Sequence, residues 1–169
     1  MSVRKIGNYH FFYTGPLGNW NRGGPFIDPI TKLSFANTEQ AFMWYKADFF
    51  KDYLIRDAIA AQQDPKLAKD LGRRVANYND AAWETVRFGF MVYVNYLKFA
   101  QNKDKREYLL ATGDEHLVEA SPVDVIWGIG MDDKTDEIIL GDPWQWKGRN
   151  LLGEALMKVR GLLNENNIS

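Results

Sequence analysis

The sequence predicts a compact, mostly helical α+β domain with a small β-sheet, and three observations carry that expectation. Four segments open on a helix-capping residue and continue with apolar residues three and four positions apart. Short runs of aromatic and β-branched residues, bounded by turn signals, stand near the start and in the second half. The chain has 169 residues and no repeat, low-complexity tract or linker. One domain is therefore expected over 1–169, with its core over about 11–160, and it would bury roughly 70% of its unfolded surface.

The first 37 residues read as extended and turn-rich. His10-Phe11-Phe12-Tyr13 suggests a strand, and Gly15-Pro16, Gly23-Gly24-Pro25 and Asp28-Pro29 place turns after it. Asn37 or Thr38 then caps a helix running to Phe49 or Phe50, with Glu39 in the first turn, where the helix dipole favours an anion. Asp64-Pro65 opens a short helix that Gly72 closes. Asn79-Asp80 opens a long one to about Gln101, with Trp83, Val86, Phe90 and Val94 as its apolar stripe. A further helix is expected over Lys105 to Leu110, and short strands over Leu117 to Glu119 and Val125 to Trp127. Asp132 to Glu137 reads as a surface loop, and Asn150 caps a last helix carrying Leu152, Leu156, Val159 and Leu163.

Composition removes whole classes of chemistry. Without cysteine there is no disulfide scaffold, thiol nucleophile, Cys-ligated zinc or iron–sulfur cluster. With only His10 and His116, a multi-histidine metal centre is excluded, and no metal or cofactor is expected. The 21 Lys and Arg balance 22 Asp and Glu, which argues against strong, sequence-independent affinity for nucleic acid. No run reaches the ~18 apolar residues of a membrane span, and Met1 to Lys5 leads into no signal-type apolar segment. A cytoplasmic protein with no membrane partner is the expectation. What remains for chemistry is carboxylates, lysines, amides and a 14% share of aromatic residues.

The segment Glu39-Gln40-Ala41-Phe42-Met43-Trp44-Tyr45-Lys46 is the most informative. On a helix, Lys46 shares its face with Phe42, Met43, Phe49 and Phe50, and Glu39 lies two turns earlier on nearly the same side. Desolvation there lowers a lysine's pKa and leaves an amine able to attack an aldehyde-like carbon such as C1 of an opened ribose. The alternative is a lysine that lays its stem on the core and carries its charge to water.

Glu119 and Asp124 bracket the Ser121-Pro122 turn, and Trp127-Gly128 comes just after. Paired carboxylates suit glycosidic bond cleavage, one protonating the leaving group while the other activates water or steadies an oxocarbenium-like state. Equally, Asp124 can cap a turn and Trp127 can fill a core. The glycine-rich stretch Gly15 to Gly24, with Asn19, Trp20 and Arg22, can cradle phosphate or ribose through backbone N–H groups. It matches neither common nucleotide fingerprint. Arg73 offers a guanidinium fork for phosphate, and the loop before Asn150 a helix N-terminus for an anion.

Taken in order, Asn19-Trp20, Glu39 to Met43 with Lys46-Ala47, Leu71-Gly72-Arg73 and Trp83 resemble the NADAR superfamily, also called YbiA-like. The resemblance continues through Lys98-Phe99, Gln101-Asn102, Thr112-Gly113-Asp114, the Glu119-to-Gly130 block and Gly148-Arg149-Asn150 before Leu152-Gly153. It covers about Phe11 to Arg160. The resemblance implies a compact, mostly helical α+β fold and an N-glycosidase that hydrolyses N-ribosidic bonds. One branch removes ADP-ribose from ADP-ribosylated guanine, and another breaks down ribosylated intermediates of riboflavin synthesis. The family's Schiff-base lysine falls on Lys46, its motif glutamate on Glu39, and the acids of its Glu-Ala-Ser-Pro-x-Asp block on Glu119 and Asp124.

Asn19, Arg22, Arg73 and Asn150 are then expected to hold ribose and pyrophosphate, with Trp20, Trp44, Trp83 and Trp127 as stacking walls. Two departures stand out. Gly18 replaces a common serine, and Gln40 replaces a histidine frequent in the riboflavin branch, which favours ADP-ribosylated guanine as partner. A riboflavin precursor as substrate, or a non-catalytic ADP-ribose-binding module, are the alternatives.

Overall fold

The computed structural model describes residues 3–168. In chain order these form β1 (Val3–Ile6), β2 (Tyr9–Phe12), β3 (Phe26–Ile27), β4 (Ser34–Phe35), α1 (Thr38–Phe49), α2 (Tyr53–Ala60), α3 (Pro65–Gly72), α4 (Asp80–Gln101), α5 (Lys103–Ala111), β5 (His116–Glu119), α6 (Glu137–Leu140), a 3₁₀ turn (Pro143–Gln145) and α7 (Leu151–Ile168). Helices dominate and the sheets are small, so the α+β expectation holds. The chain divides into two compact units: one runs to Gly18 and resumes at Glu107, the other is Asn19–Arg106.

In the first unit, β2 pairs antiparallel with β1 (Phe11 opposite Arg4) and parallel with β5 (Phe11 opposite Val118). Phe11, Val118, Ala120, Ile129, Met131 and Leu140 form a buried cluster, with Tyr9 and Trp146 packed at its edge. Leu152, Leu156 and Val159 give α7 its buried face. Val125 to Trp127 is not a strand, contrary to the expectation from its β-branched pair. The carbonyls of Val125, Ile126, Trp127 and Gly128 instead accept the N–H groups of Arg149, Leu151, Leu152 and Asn150 at 2.9–3.1 Å. The N–H groups of Asn150, Leu151 and Leu152 are donors that the start of a helix cannot pair internally, so this segment runs against the entry to α7 and not along a neighbouring strand. Asn150 enters α7 with a positive φ of 54°. Its carbonyl accepts the Glu154 N–H at 3.1 Å, the bond of an N-cap position, while its side chain bonds β5.

In the Asn19–Arg106 unit, α1 packs against α2, α3 and α4. Asn37 caps α1 by accepting from the Gln40 N–H, and Asp64 caps α3 ahead of Pro65. Gly72 lets α3 approach α1 so closely that a Cβ there would collide with the flexible end of Met43. On α4, the buried ladder runs through Trp83, Arg87, Met91, Val94, Asn95 and Lys98, while Val86 and Phe90 are only half-buried. An apolar stripe alone misses that ladder because three of its members are polar. Also unforeseen were β1, the β3–β4 hairpin and α2. Helix α2 buries only Ile59 of its eight residues, which leaves almost no periodic signal.

Candidate functional site

Lys46 sits in the second half of α1 with a half-buried side chain. Its Nζ lies over the Tyr78 ring, 4.6 Å from the centroid. Burial lowers its pKa below the usual lysine value, and the Arg73 charge pushes the same way. Glu39 and Asp80 oppose that shift without reversing it. Glu39 is buried, 6% exposed, and its backbone N–H reaches the Asn19 carbonyl at 3.2 Å. Glu39, seven residues earlier on α1, and Arg73 from outside it both act electrostatically on the Lys46 amine. Arg73 itself is largely exposed, 3.5 Å from Asp70.

Tyr78 carries no signal in the sequence, because its relation to Lys46 depends on the path of the 73–79 loop. That path is fixed at Ala76, whose N–H donates to Asp52 at 2.8 Å, and at Asn77, which takes a positive φ of 60°. The Tyr78 hydroxyl donates to Asp80 at 2.7 Å, which sets the ring's orientation. The packing between α1 and α4 is aromatic. Trp83 is buried, with ring centroids 5.4 Å from Phe42, and it stacks on Phe90 at 5.8 Å and 22°.

The Asn19 carbonyl also accepts from the Thr38 hydroxyl at 3.1 Å, so the first loop is tied to the start of α1. Its side chain is buried between Asn95 and Met91. Trp20 is about half exposed, Arg22 pairs with Asp64 at 3.0 Å, and Trp44 is buried edge-on to Phe35 and Tyr45. Gln40 is committed to the fold. Its amide accepts from Ala36 at 2.8 Å and donates to the carbonyls of Ile59 and Gln62. Gln40 holds loops together, so a choice of substrate branch is not carried by any contact of its side chain outside them.

In the other unit, Glu119 ends β5 and Asp124 lies just beyond the Ser121-Pro122 turn. Asp124 Oδ1 accepts the N–H groups of Ile126 at 2.9 Å and Trp127 at 2.7 Å, so one of its oxygens shapes the loop. Asn150 is buried, and its amide accepts from the Glu119 N–H and donates to the Leu117 carbonyl, both at 2.9 Å. Gly18 is not demanded by the backbone, since an added Cβ would meet its nearest neighbour, the Gly15 carbonyl, at 3.4 Å.

His10 bonds Glu115 at 2.7 Å and His116 lies 3.4 Å from Glu154, so each histidine has a carboxylate of its own unit beside it. Among the described residues no group of three or more His, Cys, Asp or Glu is placed to hold a metal ion. No described helix is long and apolar enough to cross a membrane.

Comparison with known proteins adds a relationship. Residues 11–164 match the family model of the NADAR domain. N-glycosidase R617 of Acanthamoeba polyphaga mimivirus is 41% identical over 127 residues, 75% of this chain and 73% of that protein. An N-glycosidase of Nostoc punctiforme is 32% identical over 152 residues, 90% of this chain and 89% of its own length. The NMR structure of the E. coli protein YbiA superposes with a TM-score of 0.75 at 26% identity, covering 94% of this chain and 86% of that one.

Proposed function

This chain belongs to the NADAR domain family, and we propose that it is an N-glycosidase that releases ADP-ribose from ADP-ribosylated guanine through a Schiff base on Lys46. One observation carries the reading: Lys46 is a desolvated amine with Glu39 on its own helix and Arg73 biasing it toward the neutral form. A neutral amine is the nucleophile that C1 of a ribose requires. The names of the N-glycosidase relatives support the reaction class.

In this mechanism the Lys46 nitrogen bonds to C1 as the C1–N bond to guanine breaks, and the guanine nitrogen takes up a proton. Opening of the sugar ring protonates the ring oxygen and leaves an iminium between C1 and Nζ. Water adds to C1, the C1–Nζ bond breaks, and the amine is restored. Glu39 moves the protons and stabilises the cationic carbon. The family pattern gives Glu119 and Asp124 acid–base and orienting roles as well, and Glu119→Gln and Asp124→Asn test each separately. Asn19, Arg22 and Arg73 are the proposed anion and ribose contacts, and Trp20 a stacking surface.

The test is release of ADP-ribose from a modified guanine oligonucleotide, with a ribosylated riboflavin precursor assayed alongside and products identified by mass. Lys46→Ala and Glu39→Ala are each expected to lose at least about a hundredfold in rate. Full activity in both variants contradicts the assignment. Turnover of only the riboflavin precursor replaces the substrate. Tight ADP-ribose binding without turnover of either makes the chain a binding module.

A further inference from the structure

The chemistry proposed for Lys46 makes no use of Arg87, a guanidinium on α4 that is only 6% exposed. A buried guanidinium is normally held by several acceptors, because its five N–H donors lose water on burial. Arg87 is not held in that way. Among the described residues its one ionic contact is Glu84 Oε1, 3.6 Å from Nη2, and no hydrogen bond reaches its side chain. Glu84 is itself about half exposed, so water screens the pair. The donors are still open to approach, since no guanidinium nitrogen is sealed away from the surface.

Helix α4 sets where those donors stand. Trp83, Arg87 and Met91 share its buried face, each about 6 Å along the axis from the next. On one side of Arg87, Trp83 packs against Phe42 and Phe50, and Phe50 against Tyr78. On the other, Met91 Sδ receives the Asn19 amide at 3.3 Å, and the Asn19 carbonyl receives the Glu39 N–H at 3.2 Å. The Arg87 charge also acts on Tyr78, whose ring lies under Lys46 Nζ at 4.6 Å. Arg87 therefore stands between the Tyr78 and Asn19 ends of the unit that carries Lys46.

Neither structural role accounts for it. A helix ion pair with Glu84 would form as well on the surface, without the cost of desolvating the cation. A filler of that space would be better uncharged. A guanidinium fork instead matches an anion with two oxygens on one atom, and phosphate is such a group.

We propose that Arg87 is a phosphate-binding residue, its fork taking two oxygens of the phosphate esterified to the ligand's ribose. The proposal rests on the reading above for the ligand class alone, a phosphorylated ribose, and holds whether or not Lys46 forms a Schiff base. The test is calorimetric titration of the full chain with ADP-ribose, at several salt concentrations, beside thermal unfolding.

Arg87→Met is expected to weaken ADP-ribose about tenfold to a hundredfold. It should preserve or raise Tm, because it removes a buried charge that has no hydrogen-bonded partner. Arg87→Lys keeps the charge without the fork and should fall between the two. Affinity should also decline less steeply with salt in Arg87→Met than in the wild type. No ADP-ribose binding by the wild type, equal affinity in Arg87→Met, or full affinity in Arg87→Lys overturns the proposal.

Turnover separates this site from the Lys46 chemistry. Arg87-dependent binding of ADP-ribose by a chain that releases no ribosylated base supports the site and removes only the reaction. Turnover of ADP-ribosylated guanine with one KM in wild type and Arg87→Met overturns the site and leaves the reaction standing.

Discussion

The chemistry proposed for Lys46 depends on how burial and three charged neighbours set one proton. Burial is the leading influence and favours the neutral amine, Glu39 and Asp80 favour the ammonium, and Arg73 disfavours it. The signs give a direct prediction. The Lys46 titration, observed by NMR at its side-chain carbons, should have its midpoint below the ordinary lysine value of 10.5. Glu39→Gln removes an anion and should move the midpoint lower still, whereas Arg73→Ala removes a cation and should move it higher. A midpoint that ignores both variants would show that the charge network does not control the amine. Of this arrangement, Glu39 and Lys46 were legible because helical spacing puts them on one side of α1. Tyr78 was not, since it reaches Nζ only through the Asp52 tether and the strained Asn77.

Among the elements, the two glycine-rich blocks around 119–130 and 148–153 interlock. Four successive loop carbonyls receive the N–H groups at the start of α7, and the Asn150 amide is clamped to β5. Gly148 and Gly153 permit this approach, since a Cβ on either would run into backbone oxygen of Gly128 or Leu117. The sequence shows the glycines and the turn residues. It does not show that they face backbone rather than a flat ligand, because a glycine admits both equally. Helix α7 offers an internal contrast. Gly153→Ala forces the Leu117 carbonyl aside and should destabilise by about 1–3 kcal/mol. Gly161→Ala, whose Cβ meets nothing within 4 Å, should stabilise by about 0.5–1 kcal/mol. Denaturant unfolding of the two variants checks both signs.

For the whole molecule, balanced composition hides an uneven distribution of charge. Asn19–Arg106 carries 14 Lys and Arg against 10 Asp and Glu, and the other unit 7 against 12. With so small an excess on either unit, a guanine-bearing oligonucleotide should bind with a shallow salt dependence, fewer than about two counterions released. A steep slope from a salt titration would instead reveal a polyanion track on the surface. The α+β class was legible at this scale from caps and periodicity, whereas the division into two units was not, because the first is assembled from both ends of the chain. The central claim is covalent catalysis by one amine, and borohydride trapping during turnover of an ADP-ribosylated guanine substrate tests it most directly. Intact-mass and peptide analysis should find a reduced ribosyl adduct on Lys46, and none in Lys46→Ala. Turnover of that substrate without any trapped adduct, or an adduct on another lysine, would contradict the account.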